Sequence, residues 1–434
     1  MSPRVRGVAH NTFKALKSRN YRLWFTGQTI SVSGTWMQSV AQAWLVLKLA
    51  PNSSEGFDLG VTIALQFLPM LLFGVWGGLI ADRFDKRRIL FGTQTAAGIL
   101  ALALGILTAT GAVRLWQVFL LALLLGFVNL VDNPTRQSFA VEMVGPSDLQ
   151  NAVSLNSIIM NGARIIGPAI GGLLIATVGI AVCFEVNAAS YIAVIVALAL
   201  MRKTELHPSK QAPRAKGQAR EGLRYAWRSR DLREVLILVF AAGTLAYNFT
   251  VTLALFSKET FHGGAGIYSM FTSLMAGGAV IGGLVTASRS KPNVLRVGAV
   301  GLAFGVLNLA LALSPNLVVA AIAIVPMGAL SIAFISTANS TIQLRVDPVM
   351  RGRVMAIYAI GFLGTAPIGG PLVGWIAQTT SPRISLGVGA ASAIIPCAIL
   401  LLRIASKKRN EPDVSAPGVA VEDPETQAAE LGVA

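Results

Sequence analysis

Twelve runs of mainly apolar residues are the feature that most constrains what this chain can fold into. A helix rises ~1.5 Å per residue, so a run of roughly 20 apolar residues crosses the ~30 Å hydrocarbon core of a membrane. With 54% hydrophobic and only 13% charged residues, a chain of 434 residues could not cover all these runs as a soluble protein. The sequence therefore predicts an all-α membrane protein with twelve transmembrane helices. The approximate limits of the runs are 23–47, 60–81, 89–111, 115–134, 152–178, 181–201, 234–256, 267–287, 295–313, 316–338, 354–377 and 384–402.

Sorting the Lys and Arg residues by loop gives the predicted helices an orientation. In a soluble protein a net charge of +16 would suggest nucleic acid as a partner. Here 31 of the 36 cations lie on the side of the N-terminus, 4 lie on the opposite side and Arg164 lies within the fifth run. Because cytoplasmic loops carry an excess of Lys and Arg, we predict a multi-pass protein of the cytoplasmic membrane with both termini in the cytoplasm. This explanation of the charge requires no nucleic acid.

The longest loop divides the chain into two halves of six runs each. We predict an N-terminal six-helix bundle (1–201), a basic cytoplasmic linker (202–233), a C-terminal six-helix bundle (234–409) and a disordered acidic tail (410–434). In the last part of the linker, from Arg220 to Arg228, apolar and basic residues fall on different faces of a short helix. That pattern is typical of an interfacial segment lying along anionic lipid.

Glycine motifs recur at equivalent positions of the two halves. The Gly-Gly-Leu motif at 77–79 returns at 282–284, a shift of 205 residues, and the Gly-Pro pair at 167–168 returns at 370–371, a shift of 203. Parallel six-helix repeats joined by a central loop are how many secondary transporters are built, with a substrate site between the halves near the membrane midplane. The repeats therefore predict two pseudo-symmetric bundles.

Several segments resemble a known family. Residues 78–88 read GLIADRFDKRR and are similar to the G-x-L-a-D-R-x-G-R-R signature of the major facilitator superfamily, with Asp85 where Gly is usual. The resemblance covers roughly residues 13–405 and implies the two-bundle fold of that superfamily and a transport function. Four further segments are similar to the branch that contains the enterobactin exporter and many bacterial efflux proteins, namely 34–38, 132–137, 164–168 and 221–225.

The signature loop supplies a candidate conformational latch. In the superfamily this loop resembles a latch between the halves on the cytoplasmic side, which implies that role for Asp82, Arg83 and Arg87, with Arg136 as a partner. An acid at a helix end can bind the N-terminus of a neighbouring helix and release it when the halves move. For the cations of the loop, the excess of positive charge on the cytoplasmic side is the alternative explanation.

Arg164 is the cation whose position is most costly. It lies thirteen residues after Asn151, which places it ~20 Å deep. Glu185 in the sixth run is predicted at a similar depth, whereas Asp132 lies near the cytoplasmic end of the fourth run. Arg164 either forms a static ion pair with Glu185 or faces a cavity, where it would bind an anionic substrate group or couple to proton uptake. Asp132 and Glu185 are the intramembrane acids that could carry a proton.

Polar residues at helical spacing mark two of the runs. We interpret them as walls of a water-filled cavity, with Thr35, Gln38, Tyr247 and Asn248 nearest the midplane. Hydrogen bonding between helices is the alternative. The polar residues are Gln28, Ser31, Thr35, Gln38 and Gln42 in the first run, and Thr244, Asn248 and Thr252, with Tyr247 beside them, in the seventh.

Small residues surround the proline of the fifth run, in a pattern that resembles the antiporter signature of the superfamily. Pro168 removes one backbone hydrogen bond, and Gly167, Gly171 and Gly172 let another helix approach closely. The segment therefore predicts a helix bend at a tight interface. It favours antiport over uniport.

Together these features predict a secondary active transporter that moves an amphipathic small molecule, such as a siderophore or a drug, outward in exchange for protons by alternating access. An importer or facilitator of the same fold is the alternative, and a non-transporting receptor is less favoured. We expect no enzymatic activity, because the sequence has no P-loop and no H-E-x-x-H motif. With 3 His, all in loops or tails, and 2 Cys, we expect no metal site and no cofactor. We expect a monomer.

Overall fold

The computed structural model describes residues 14–145, 148–207, 218–288, 292–347 and 350–410. All regular secondary structure in these residues is helical, which confirms the predicted all-α class. Residues 411–434 of the predicted acidic tail and residues 208–217 of the predicted linker lie outside the described ranges.

Six long helices form the first half, and most extend past the apolar runs that predicted them. The fourth helix continues to Val144 rather than ending at residue 134. Its end projects beyond the thickness of the hydrocarbon. At other helix starts, Ser18 and Asp85 accept hydrogen bonds from backbone N–H groups of the first turn. The helices are α1 (Arg19–Leu49), α2 (Glu55–Arg83), α3 (Lys86–Ala109), α4 (Leu115–Val144), α5 (Leu149–Thr177) and α6 (Ile180–Leu200).

The second half differs from the prediction because two of its expected continuous helices are broken. The seventh run forms two helices separated at 246–248, and the eleventh run forms two helices separated at 364–365. Asn248 precedes one of the new helix starts, and Pro367 lies in the first turn of the other. The helices are α7 (Gln218–Arg228), α8 (Arg230–Leu245), α9 (Phe249–Leu255), α10 (Ala265–Ser288), α11 (Val294–Ala312), α12 (Leu317–Arg345), α13 (Arg351–Leu363), α14 (Ala366–Thr379) and α15 (Pro382–Asn410).

Eleven stretches of the described chain are long and apolar enough to cross a membrane. They are α2 to α6, α10, α11, α12, α15, and the pairs α8–α9 and α13–α14, each pair counting as one crossing. α1 has 31 residues and completes the predicted twelve, although its glutamine, serine and threonine residues lower its mean hydropathy. The fold class is thus the one that the apolar runs predicted.

The two halves use glycines in the same way to pack their own helices. A Cβ on Gly77 of α2 would lie 3.0 Å from the Leu130 carbonyl carbon on α4. At the position 205 residues later, a Cβ on Gly282 of α10 would lie 2.5 Å from Ala329 Cα on α12. The recurrence of the glycine motif therefore corresponds to a recurrence of close helix packing.

The halves meet along two helix pairs, and the first of them is α2 with α14. A Cβ on Gly60 would lie 2.6 Å from Pro371 Cα, and a Cβ on Gly374 would lie 2.6 Å from the Gly56 carbonyl carbon. Only glycine lets the two backbones approach so closely.

We call the end of the molecule that contains Arg19 the terminal end and the opposite end the distal end. The glycine crossing lies toward the distal end.

The second pair between the halves is α5 with α10. A Cβ on Gly172 would lie 2.5 Å from Ser269 Oγ, and Ser273 Oγ donates a hydrogen bond of 3.0 Å to the Ile165 carbonyl. Gly172 thus allows the close approach that the sequence predicted. α5 continues through Pro168 as one helix, so the bend there stays a prediction.

The predicted small residues of α5 also pack against α1. A Cβ on Gly167 would lie 2.6 Å from the Ser33 carbonyl oxygen, and one on Gly171 would lie 3.2 Å from Met37 Cγ. The glycines of α5 therefore allow close packing against two helices, α1 in the first half and α10 in the second.

The breaks divide the seventh and eleventh crossings into parts with different neighbours. The distal parts, α9 and α14, pack against α1 and α2 of the first half. In the described part of the chain, the terminal parts α8 and α13 make their extensive contacts with helices of the second half. The breaks therefore lie where the two halves separate.

The short helix α7 lies on the terminal side of the second half. Ala226 is fully buried, and Glu221 Oε2 forms an ion pair of 2.6 Å with Arg353 Nη1 at the start of α13. Leu223 and Trp227, one turn apart, are exposed. These contacts attach α7 to the second half, and its placement along anionic lipid stays a prediction.

Candidate functional site

Asp132 on α4 carries a buried carboxylate that three side chains bind. Arg136 Nη2 lies 2.5 Å from Asp132 Oδ2. From α3, Thr93 Oγ1 and Gln94 Nε2 donate to Oδ1 at 2.7 and 2.8 Å. Asp132 is 1% exposed, whereas the Arg136 side chain is 27% exposed. The charge of the acid is therefore compensated inside the first bundle by a cation that remains partly accessible.

Arg136 binds side chains of the first bundle, and its pairing with the signature loop stays a prediction. Besides binding Asp132, Arg136 donates from Nη1 to Gln28 Oε1 on α1. Asp132 and Arg136 are four residues apart on one helix, which brings their side chains together and explains why the local pair forms. Asp82 is partly buried and Arg83 is exposed, and their role as a latch stays a prediction.

Arg87 of the predicted latch has a contact within the first bundle. Its Nε donates to the Leu198 carbonyl at 2.7 Å and its Nη2 donates to the Ala199 carbonyl at 3.0 Å. These carbonyls lie in the last turn of α6, where no helical N–H is available to them. Arg87 therefore ties the start of α3 to the end of α6, and in this structure it does not join the two halves.

Arg164 lies near the middle of α5 without an acid beside it. Its guanidinium carbon lies 4.7 Å from the ring centroid of Trp36 on α1. The predicted ion pair with Glu185 is absent among the described residues, because Glu185 lies on α6 against Gly105 of α3. The two residues have a similar predicted depth, but Arg164 contacts α1 and Glu185 contacts α3.

Two residues of the polar stripe of α1 form hydrogen bonds with other helices. Gln38 Oε1 accepts a hydrogen bond of 2.6 Å from Asn187 Nδ2 on α6, and Gln28 binds Arg136. Gln38 and Gln42 also line a small cavity between α1, α3 and α4. Thr35 is exposed, and its hydroxyl donates to the Ser31 carbonyl one turn earlier. Of the residues that the sequence placed on a cavity wall, Gln38 is buried by its partner and Thr35 is accessible.

Tyr247 and Asn248 lie at the break between α8 and α9. Tyr247 donates from its hydroxyl to the Ser331 carbonyl of α12 at 2.6 Å, and its ring packs 5.1 Å from that of Phe362. Asn248 donates from Nδ2 to the Thr244 carbonyl at 2.7 Å, so it satisfies an acceptor that the break would leave free. These residues hold the break together. Their role in binding a substrate stays a prediction.

A second polar stripe, on α5, was missed by the sequence reasoning. Ser154 and Ser157 are exposed on the terminal half of α5, and Asn161 and Arg164 follow at intervals of four and three residues. On α12, Asn339 and Gln343 form a similar pair, joined by a hydrogen bond of 2.5 Å. The helical spacing that identified the stripe of α1 would have identified both of these stripes.

The sequence also gave no sign of a distal clamp between the halves. Lys258, just after α9, lies with Nζ 2.5 Å from Glu55 Oε2 at the start of α2, and it donates to the Leu47 carbonyl at 3.1 Å. Gln378 accepts from the Gly56 N–H at 2.9 Å. We call Lys258, Glu55 and Gln378 the distal clamp. Each residue forms a contact with the other half, and such long-range pairs leave no local pattern in a sequence.

No metal centre is formed in the part of the chain that the structure describes. No three His, Cys, Asp or Glu side chains there converge on a point that could hold an ion. Cys183 and Cys397 are both buried in helices.

Comparison with known proteins gives a family and several relatives. Residues 10–429 match the family described as transmembrane secretion effector. The staphyloferrin A transporter of Staphylococcus aureus is 27% identical over 364 residues, which cover 81% of this chain and 88% of the relative. The multidrug efflux pump Tap of Mycobacterium tuberculosis is 29% identical, with 79% and 84% covered. The enterobactin exporter EntS of Citrobacter koseri is 23% identical, with 90% and 92% covered.

Solved structures share the fold. A POT family transporter in complex with a thioalcohol conjugated peptide has a TM-score of 0.72 at 12% identity, covering 91% of this chain and 97% of that one. A mutant form of the nucleoside transporter NupG has a TM-score of 0.70 at 13% identity, covering 89% of this chain and 99% of that one. At these identities the likeness establishes the arrangement of helices and nothing about cargo.

Proposed function

Because the chain belongs to the transmembrane secretion effector family of the major facilitator superfamily, we propose that it exports an amphipathic small molecule in exchange for protons. The chain is a multi-pass membrane transporter and not an enzyme. Relatives named as an enterobactin exporter and a multidrug efflux pump support the outward direction and the breadth of possible cargo. The resemblance seen in the signature loop and the branch motifs is thereby confirmed.

One observation carries the proposed mechanism: the halves touch along the distal end and part toward the terminal end. The glycine crossing of α2 with α14 and the distal clamp join the halves on one side. On the other side, the polar stripe of α5 is exposed from Ser154 to Ser157. A chain with a closed distal end and an accessible terminal end has the form expected of one state of an alternating-access carrier.

The excess of cations on the terminal side supports a cytoplasmic terminal end. Of the 36 Lys and Arg residues, the sequence places 31 outside the apolar runs on that side. Anionic lipid and the positive-inside rule both favour that orientation. The accessible state would then load cargo from the cytoplasm and release it after the distal clamp opens.

The network around Asp132 supports a role in coupling to protons. A carboxylate held by one partly exposed cation can exchange a proton when access to that cation changes, because solvation and the nearby charge set the proton affinity. Arg136 connects the network to α1 through Gln28. Protonation of Asp132 would release Arg136, and movement of α1 relative to α4 would follow.

Transport in inside-out membrane vesicles tests the proposed function. Vesicles from cells that overproduce the protein would be offered a panel of siderophores and drugs, and we expect accumulation of at least one compound when the vesicle interior is made acidic. A protonophore should abolish that accumulation. Vesicles with an unrelated carrier serve as the control. Uptake in the right-side-out orientation alone would instead establish an importer, and accumulation insensitive to the protonophore would exclude proton coupling.

Replacing Lys258 with glutamine is expected to shift the carrier toward its distally open state. The change removes the ion pair with Glu55, which is 5% exposed and would lose its compensating charge. Spin labels on the exposed residues Lys48 and Pro315, in a background with Cys183 and Cys397 replaced, would report the distance between the halves. We expect a longer distal distance in the variant.

Arg114→Gln is the matched control for Lys258→Gln. Arg114 is another distal cation, exposed at the start of α4, where its backbone N–H binds Gln117 within the first half. We expect this variant to keep the distance distribution of the parent protein. If Lys258→Gln also keeps it, the distal clamp does not hold the closed state.

A further inference from the structure

Arg164 occupies a position that helix packing alone leaves unexplained. It lies in α5, which runs from Leu149 to Thr177, with about two-fifths or more of the helix on either side. A charged group at such a depth in a membrane protein faces a partner or a water-filled space, because hydrocarbon cannot solvate it. The acids near Arg164 decide whether it has a charged partner or faces a water-filled space.

The acids of the first bundle are already engaged or lie elsewhere. Asp132 binds Arg136, Glu142 binds Lys86 at 2.6 Å, and Glu185 contacts α3. Among the described residues, Arg164 makes no ion pair and no hydrogen bond. Its guanidinium has five N–H donors. In this state those donors have no acceptor among the residues that the structure describes.

Trp36 orients the guanidinium without using its donors. The Arg164 guanidinium carbon lies over the Trp36 ring, 4.7 Å from its centroid, at which distance the aromatic face attracts the cation. An aromatic face accepts no conventional hydrogen bond from the guanidinium. The contact therefore holds the cation in place while its fork of donors stays available for a planar ligand group.

The free donors lie on the accessible side of α5. Arg164 follows Ser157 and Asn161 at helical spacing; Ser157 is exposed on the terminal half of α5 and Asn161 is half-buried. A molecule entering from the terminal end would pass neutral hydroxyl and amide groups before it reached the cation. Arg164, at the inner end of this path, would attract a negatively charged group of that molecule.

We propose that Arg164, positioned by Trp36, binds a carboxylate of the transported molecule, so that the cargo is an anionic amphipathic compound. A carboxylate matches the guanidinium fork with two parallel hydrogen bonds. The proposal rests on the proposed function, since it assigns the cargo of the same pathway. It differs from a static ion pair, because the counter-ion of Arg164 is the ligand.

Binding of a matched pair of probes to the purified protein tests this site. Naphthalene-2-carboxylate and naphthalene-2-carboxamide have nearly the same shape, and only the first is charged. By calorimetric titration we expect the full-length protein to bind the carboxylate at least about tenfold more tightly than the amide. Equal affinity for the two probes, or failure to bind either, would overturn the proposal.

Variants assign the selectivity to Arg164. We expect Arg164→Gln to bind both probes equally, and Arg164→Lys to keep part of the preference, because lysine keeps the charge but not the planar fork. Arg383→Gln is the matched control, since Arg383 lies 5.8 Å from the Phe256 ring centroid but outside the path. A preference that survives in Arg164→Gln, or that is lost in Arg383→Gln, would contradict the proposal.

Two further measurements separate the possible failures. Monodisperse elution and an unchanged unfolding temperature would show that Arg164→Gln is folded, and the lysine variant provides a second folded test. The label distance between Lys48 and Pro315 reports alternating access without any cargo. If the labels report both a short and a long distance but the protein binds the two probes equally, the proposal of an anionic cargo is wrong and the proposed transport function stands. If the distance never switches, the proposed function fails as well.

Discussion

Replacing Asp132 with asparagine is expected to lower proton-driven export by about a hundredfold or more. Asparagine keeps the size and one acceptor oxygen of the side chain, so Thr93 or Gln94 can still donate to it. It has no negative charge to bind Arg136 and no proton to exchange. Export into acidified inside-out vesicles measures the loss. Exchange of labelled cargo without a pH gradient should be retained, because exchange moves no net proton.

The matched control is an acid just after the first bundle that takes no part in the network. Glu205 forms an exposed ion pair of 3.0 Å with Arg202, and such surface pairs contribute little. Glu205→Gln should therefore stay within about twofold of the parent rate. If vesicles with Asp132→Asn still accumulate cargo when a pH gradient drives export, Asp132 is not the coupling group. Glu185 then becomes the acid to test.

Replacing Gly60 with alanine is expected to prevent closure of the distal end and to lower export by at least about tenfold. The added methyl group would lie 2.6 Å from Pro371 Cα and would also meet the Gly370 carbonyl, so α2 and α14 must move apart. In an open helical position the same change would stabilise the helix by about 1 kcal/mol. A loss of transport would therefore come from the crossing and not from helix propensity.

Gly74→Ala on the same helix is the matched control. A Cβ on Gly74 would meet nothing within 4 Å, so transport should be unchanged. The distance between labels at Lys48 and Pro315 should lengthen in Gly60→Ala and stay the same in Gly74→Ala. An unchanged distance in Gly60→Ala, together with normal export, would show that this crossing does not set the closed state.

The membrane-crossing helices and the all-α fold class could be predicted, because the membrane constrains the length and hydropathy of each helix separately. The breaks in the seventh and eleventh runs could not, because a run of apolar residues looks the same whether its helix is continuous or broken. Asn248 and Pro367 mark the breaks, but both residue types also occur inside continuous membrane helices, as Pro168 does in α5. What decides between these outcomes is packing against neighbouring helices.

The candidate site was predictable in part. The charges of Asp132 and Arg164 are conspicuous in apolar surroundings, so the sequence identified both residues. Their partners depend on which way each helix is turned, and a sequence gives the depth of a residue more readily than its direction. Glu185 illustrates the difference, since it shares the predicted depth of Arg164 but faces α3. The distal clamp joins residues more than two hundred positions apart, which no local pattern reveals.

The broken crossings make the two halves mechanically unequal. In the first half α1 and α5 run unbroken, whereas the second half carries a joint within each of two crossings. Lys258 and Gln378 lie on or beside the short distal segments, α9 of 7 residues and α14 of 14 residues. We expect a force that opens the distal end to act on α9 and α14, because the joints let these segments pivot relative to α8 and α13. The first half, whose helices are continuous, would then serve as the frame against which these two segments pivot.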